Sequence, residues 1–144
     1  MTIWFDLDGT LAGLYDVEGW LDDLMNEYTR PYRVAKALVN MRMLGHELNR
    51  LQALGYKVGV ISWLAKSGTT AYGERVAQTK KAWLAKHLGA VKFDEIHIVA
   101  YGTPKEIFCK TERDILFDDE EKNRENWNGT AYGVENILEI LKAI

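Results

Sequence analysis

Six side chains with reactive or charged groups follow short apolar runs along the chain. Asp6 and Asp8 come after Ile3-Trp4-Phe5, and Ser62 follows Val58-Gly59-Val60-Ile61. Lys105 stands shortly after Glu95-Ile96-His97-Ile98-Val99, and Asp118-Asp119 closes the run Asp114-Ile115-Leu116-Phe117. If the runs are parallel strands, their carboxyl ends meet where open α/β sheets bind ligands. Four carboxylates in one crevice repel unless a cation sits among them. Hard oxygen donors with room for water suit Mg²⁺ better than a metal that prefers thiolate or imidazole. Lys105 and the Ser62 hydroxyl then face a different group, and the simplest candidate is an anion such as phosphate. A metal, a phosphate and an ionised carboxylate together describe phosphoryl transfer through an aspartyl-phosphate. Singly, each residue has a plainer reading: a turn aspartate, a cap for a helix starting at Glu120, a junction serine, a surface lysine. Their recurrence at successive strand ends, in the order one pocket requires, is what favours the chemical reading.

The elements that must position these residues follow from periodicity. The four runs, and a fifth at Thr130-Ala131-Tyr132-Gly133-Val134, are rich in β-branched and aromatic residues and nearly continuous in apolarity, as parallel strands covered on both faces should be. Between them lie helical patterns. Trp20, Leu21, Leu24, Met25 and Tyr28 share one face of a helix that Asp16 is placed to cap. Val34, Ala35, Leu38 and Val39 repeat the pattern after Pro31, and Leu44, Leu48, Leu51 and Leu54 continue it up to Gly55. Residues 74–88 read as a helix with Val76, Trp83, Leu84 and Leu88 inward, and residues 134–143 as a terminal helix with Val134, Ile137, Leu138 and Leu141 inward. The alternation predicts an α/β, Rossmann-like three-layer sandwich with a mostly parallel sheet. Roughly 50 residues separate the first two strands, more than a crossover helix needs. The surplus, residues 14–54, reads as a small helical cap inserted into a single domain of residues 1–144.

Composition sets the outer limits. At 144 residues, with 47% hydrophobic and 27% charged residues, the chain has the makeup of one globular domain and not of a disordered or fibrous protein. A net charge of −3 argues against bulk nucleic-acid binding. Cys109 is the lone cysteine, so no internal disulfide or cysteine-based zinc site is open to it, and a reducing, cytoplasmic setting is the expectation. His46, His87 and His97 lack the paired spacing of metal-binding helices. The start Met1-Thr2-Ile3-Trp4-Phe5-Asp6 is too short in apolar residues and too acidic for a signal peptide, and no stretch reaches the ~18 apolar residues of a membrane span.

Asp6-Leu7-Asp8-Gly9-Thr10-Leu11 matches the DxDGT signature that opens the haloacid dehalogenase (HAD) superfamily of phosphohydrolases. Ile61-Ser62 resembles its second motif, Lys105 its third and Leu116-Phe117-Asp118-Asp119 its fourth, in the expected order along the whole chain. Lys110, Lys80 and Lys81 compete for the third motif. Within the superfamily the chain looks most like the 5′(3′)-deoxyribonucleotidase group and its small bacterial and phage-type relatives, through residues 80–89, Tyr101-Gly102-Thr103-Pro104-Lys105 and residues 116–123. The resemblance implies that Asp6 attacks phosphorus, that Asp8 protonates the leaving group and then activates water, and that Asp8 also reaches the metal through its main-chain carbonyl. It implies Mg²⁺ as cofactor, held by Asp6, Asp8 and Asp118, with Asp119 ordering a metal-bound water or taking the ligand role itself. Ser62 and the backbone amides near Gly9 and Thr10 would hold phosphate oxygens, and Lys105 would neutralise phosphoryl charge.

The expected substrate is a small phosphorylated molecule, first a nucleoside monophosphate. Nucleic-acid 3′ ends and small phosphorylated metabolites are the alternatives. Trp63, Tyr15 and Trp20 are placed to stack on a base, although Trp20, on an apolar stripe, also reads as core. Lys80, Lys81 and Lys86 read as a solvated helix face, His87 as a helix-end residue and Cys109 as a small buried hydrophobe. Lys66-Ser67-Gly68-Thr69 lacks the upstream glycine of a phosphate loop. A receiver-like phospho-acceptor domain also gathers acidic residues around Mg²⁺, but its acidic pair follows the first strand and its acceptor the third, the reverse of the order here.

Overall fold

The computed structural model describes all residues, Met1–Ile144. Five strands, β1 (Thr2–Phe5), β2 (Lys57–Trp63), β3 (Glu95–Val99), β4 (Ile115–Phe117) and β5 (Thr130–Tyr132), form one sheet in the order β3-β2-β1-β4-β5. Every pairing is parallel. The expected α/β fold is therefore present, with the first strand at the centre.

Alternation along β1 decides what each face packs. Ile3 and Phe5 point to one side, where Val58, Val60, Ile115 and Phe117 meet two helices, α3 (Met41–Ala53) and α6 (Ile137–Lys142). Leu44, Leu48 and Leu51 of α3 and Leu141 of α6 are fully buried there. Trp4 points to the other side and packs with Ile61, Leu116 and Trp127 beneath Phe108. Its indole lies flat across β2, so a Cβ at Gly59 would come within 2.4 Å of the ring. Gly59 is a close-approach residue in the middle of a strand. Cys109 is half-buried at the edge of this second cluster, where its thiol contacts the Thr111 carbonyl, and so is less enclosed than expected.

Helix boundaries follow their caps. Asn40 accepts from the Met43 amide to start α3, and Gly55 (φ +99°) ends it. Thr69 does the same for α4 (Thr70–His87) through the Tyr72 amide, starting that helix four residues before the expected 74. The longer helix carries Tyr72 and Val76 into a third apolar cluster with Leu14 and Tyr32.

Two short helices, α1 (Trp20–Met25) and α2 (Arg30–Val34), stand over the strand ends, after a 3-10 turn at Leu14–Asp16. Because α3 packs into the main core, the part of the 14–54 segment that overhangs the sheet is residues 14–34. Asp16 does not cap α1. That helix follows Gly19, which sits in the left-handed region and provides no side-chain cap. No helix of the chain is long and apolar enough to cross a membrane.

Candidate active site

The floor of the site begins where β1 ends. After Phe5 the chain folds into a tight turn in which the Leu7 carbonyl accepts from the amides of Thr10, Leu11 and Ala12, and the Gly9 amide donates to Ala12. The amides of Gly9 and Thr10 are thus spent inside the turn. They are not free to hold phosphate, contrary to expectation. Gly9 adopts φ +80° and runs against Asp119, whose Oδ2 would lie 2.4 Å from an added Cβ. Thr10 turns its hydroxyl back toward the carboxylates: Oγ1 lies 3.0 Å from Asp6 Oδ2 and 3.3 Å from Asp119 Oδ1, and accepts from the Asp119 amide. The glycine and threonine of the turn organise acids.

Lys105 occupies the start of a 3-10 turn (Lys105–Phe108) and is 2% exposed. Its ammonium donates to Asp6 Oδ1 at 2.7 Å and to Asp118 Oδ2 at 2.8 Å. Lys110 instead pairs with Glu95 at 2.7 Å on the surface, so only Lys105 reaches the acidic cluster. Asp118, fully buried, also accepts from the Glu120 amide and from Asn123 Nδ2. Asn123, on α5 (Glu121–Asn126), is a site residue that the sequence pattern did not single out.

Carboxylate oxygens of Asp6, Asp118 and Asp119 lie within 4.8 Å of one another. One ammonium faces these three acids. Burial, then the neighbouring Asp6, pushes Asp118 up to about 6, and Asp119 reaches about 8 for the same two reasons with Asp118 adding to them. Burial works against the Lys105 charge, but Asp6 and Asp118 outweigh it and hold the ammonium above the ordinary lysine range. Surplus negative charge on closely spaced oxygens, with no nitrogen or sulfur donor, fits a hard divalent cation such as Mg²⁺.

Asp8 lies apart from that cluster. Its Oδ2 accepts from Lys80 Nζ at 2.8 Å, and the same ammonium donates to Ser62 Oγ at 2.8 Å and to the Trp63 carbonyl. Lys80 is 1% exposed and lies 4.9 Å from the Tyr32 ring centroid. It is therefore a central part of the site, whereas its position next to Lys81 suggested a solvated face. Lys81 and Lys86 are exposed as expected. Lys80 falls at i+4 from Val76 and i−4 from Leu84, both buried, so helical spacing alone places it on the inward face. Burial raises the Asp8 carboxyl above the usual range, and Lys80 opposes the rise without cancelling it. Ser62 is 1% exposed and lies beneath the cavity lining, its oxygen engaged by Lys80.

Above the acids is a cavity of about 260 Å³, with Asp6, Asp8, Lys105, Asp118 and Asp119 on its floor. Its upper wall is apolar and aromatic. Trp20 packs edge-on against Tyr15 at 5.0 Å on the side of α1, and Trp63 packs against Tyr101 at 5.0 Å across from them. The Trp63 indole donates to the Thr103 carbonyl, and its ring lies 5.3 Å from the Lys105 ammonium. Trp20 is half-buried at the cavity wall, and no residue of α1 belongs to the buried core. Leu21 and Met25, expected to face inward, are 54% and 70% exposed.

The sequence matches no known protein-family model and no curated protein. Solved structures do match. A D,D-heptose 1,7-bisphosphate phosphatase from Burkholderia thailandensis aligns over 86% of this chain and 69% of its own at 16% identity, with a TM-score of 0.50. The same enzyme from B. bronchiseptica, solved with magnesium and phosphate, aligns over 90% of this chain and 77% of its own at 13% identity, with a TM-score of 0.55. At such identities the likeness is one of fold: the chain is built on the same α/β plan as these phosphatases.

Proposed function

We propose that the chain is a Mg²⁺-dependent phosphomonoester hydrolase working through a phosphoaspartate on Asp6. The observation that carries this is the setting of Asp6, held between Lys105 and Thr10 beside two further carboxylates at the floor of a cavity. Asp6, Asp118 and Asp119, with the main-chain carbonyl of Asp8, would hold Mg²⁺, which screens the approach of an anionic substrate to an anionic nucleophile. Lys105 supplies a fixed positive charge on the same path and holds the Asp6 carboxylate in one orientation.

The residues divide the work as follows. An Asp6 oxygen forms a bond to phosphorus as the bond from phosphorus to the ester oxygen breaks, and Asp8 gives a proton to the departing alkoxide. Asp8, now a carboxylate, then takes a proton from water as that water attacks phosphorus and releases Asp6 and inorganic phosphate. Burial, by favouring the protonated form of Asp8, suits it to the first of these steps.

The substrate that best suits the wall is a nucleoside monophosphate. Tyr15, Trp20, Trp63 and Tyr101 offer flat faces to a base, and about 260 Å³ is near the small end of ligand sites, which start at roughly 300 Å³. The two solved neighbours are named for a sugar bisphosphate. A second phosphate would find mostly apolar wall here, with Lys66 as the one cation beyond Lys105 lining the cavity. The test is a panel of nucleoside 5′-monophosphates, sugar phosphates and 3′-phosphorylated oligonucleotides with Mg²⁺ and with EDTA. Nucleotides are expected to lead the panel. Equal rates on sugar phosphates would remove the nucleotide preference, and activity in EDTA would remove the metal.

A further inference from the structure

Lys80 is a buried, fully committed ammonium that none of the steps above uses. Its three acceptors come from different segments: Asp8 from the turn after β1, and Ser62 with the Trp63 carbonyl from the end of β2. An ammonium has three donors and no acceptor, so each is matched once. Two consequences follow for the groups it touches. Asp8 has Oδ2 on Lys80, and its Oδ1 makes no hydrogen bond within the chain while the residue lines the cavity. Ser62 has its oxygen engaged as an acceptor, so its own proton points away from Lys80. Removing the ammonium would leave Asp8 free to rotate and the Ser62 hydroxyl free to reverse.

We infer that Lys80 is a positioning residue for the proton-transfer step, fixing Asp8 so that Oδ1 faces the leaving group. The inference rests on the phosphatase reading of the same site. Its signature is selective. A proton donor matters greatly when a poor leaving group departs as an alkoxide, and little when an aryl oxide departs unaided. The quantity to follow is kcat/KM, which ends with release of the alcohol and so omits the later attack of water on the phosphoaspartate.

The experiment compares 2-phenylethyl phosphate with 4-nitrophenyl phosphate in the Mg²⁺-loaded full chain, for wild type, Lys80→Met and Lys80→Arg. Lys80→Met is expected to lower kcat/KM for the alkyl ester about 10²-fold and for the aryl ester by less than about tenfold, with Lys80→Arg recovering part of the difference. Should Lys80→Met fail to fold, Lys80→Gln, which keeps a donor and drops the charge, gives the same comparison. Equal losses on the two esters, or no loss on either, would overturn the inference and leave the phosphatase reading standing. A wild-type chain that turns over neither ester would instead remove the phosphatase reading and this one with it. A readout independent of turnover is the melting temperature: adding Asp8→Asn to Lys80→Met should raise it, because the single variant strands a buried carboxylate. A further fall would show that the pair is not coupled as described.

Discussion

The floor and the lid of the cavity are built on opposite principles. On the floor, Asp6, Asp118, Lys80 and Lys105 are all at least nine-tenths buried, and each is held by two or more polar contacts. In the lid, α1 has no buried residue, and Leu21, Met25 and Tyr28 are each more than half exposed. Charge is inside and apolar surface is outside, the reverse of an ordinary domain. Burying charge is unfavourable unless it is paired, and on the floor each buried charge has its partner. The lid is tied to α4 by the cluster of Leu14, Tyr32, Tyr72 and Val76 and by two polar contacts, Thr69 Oγ1 to Glu27 and the Tyr72 hydroxyl to the Tyr28 carbonyl, and leaves Leu21 and Met25 to the cavity. On the proposed reading, precision for the reacting phosphate would reside in the floor, and tolerance for the rest of the substrate in the lid.

Substitutions on the floor should do the most damage. Asp6→Asn is expected to cut hydrolysis of an aryl phosphate by about 10³-fold or more while leaving the circular dichroism spectrum unchanged. Retained turnover would mean that another group attacks phosphorus. Next comes the comparison of two lysines. Lys105→Met strips the lone ammonium from Asp6 and Asp118, and breaking a buried ion pair from one side is destabilising by about 3–5 kcal/mol. Lys110→Met removes a surface pair, for which the expected change is within about 0.5 kcal/mol. Urea denaturation of the two variants measures both, and similar losses would contradict the assignment of Lys105 to the site.

The same crowding of charge predicts a pH dependence. With Asp118 at about 6 and Asp119 at about 8, both above an ordinary carboxyl at about 4, the folded chain without metal holds protons that the unfolded chain has released. Their contribution to stability is complete below about pH 4 and is withdrawn as pH climbs through 6 and 8. A cation must displace those protons, so the rise in melting temperature on adding Mg²⁺ should grow across that interval. Melting curves in EDTA and in Mg²⁺ over a pH series would show it. A rise that does not change with pH would mean that the cation binds elsewhere.

How far the chain could be read before its structure follows the same division. Asp6, Asp8, Asp118 and Asp119 were legible because each follows a short apolar run, and parallel strands bring such ends together whatever the details of packing. The sheet was legible for the same reason. Lys80 was not, because its neighbour Lys81 is exposed and a run of lysines reads as solvated; the signal was its i±4 relation to Val76 and Leu84 on a helix that begins earlier than expected. Asn123 carried no such signal, since its role depends on how α5 lies against Asp118. The lid is ambiguous in the opposite direction. Trp20, Leu21, Leu24 and Met25 form a convincing inward stripe, but periodicity reports that a helix has an apolar face and not what that face meets. Here Trp20 and Leu24 pack against the cluster of Leu14, Tyr32, Tyr72 and Val76, while Leu21 and Met25 meet the cavity and solvent. Loop length alone does not show that, within residues 14–54, Leu44, Leu48 and Leu51 return to the core.

The smallest effects should come from the lid, and they sharpen its contrast with the floor. Trp20→Ala removes a cavity wall that is not part of the main core. If that wall stacks on a base, loss of a contact of about 1–3 kcal/mol raises KM for a nucleoside monophosphate roughly 5- to 150-fold, with kcat held within a factor of about two. For methyl phosphate, which has nothing to stack, kcat/KM should not move. A fall in kcat for both substrates would mean that Trp20 shapes the acids below it, and the lid would then share the exactness of the floor. Met25→Ser, at a side chain 70% exposed, should change stability by no more than about 0.5 kcal/mol. A large change would show that the Met25 side chain, which lines the cavity, is packed in solution, and an apolar surface left for a ligand would no longer explain why the lid carries it.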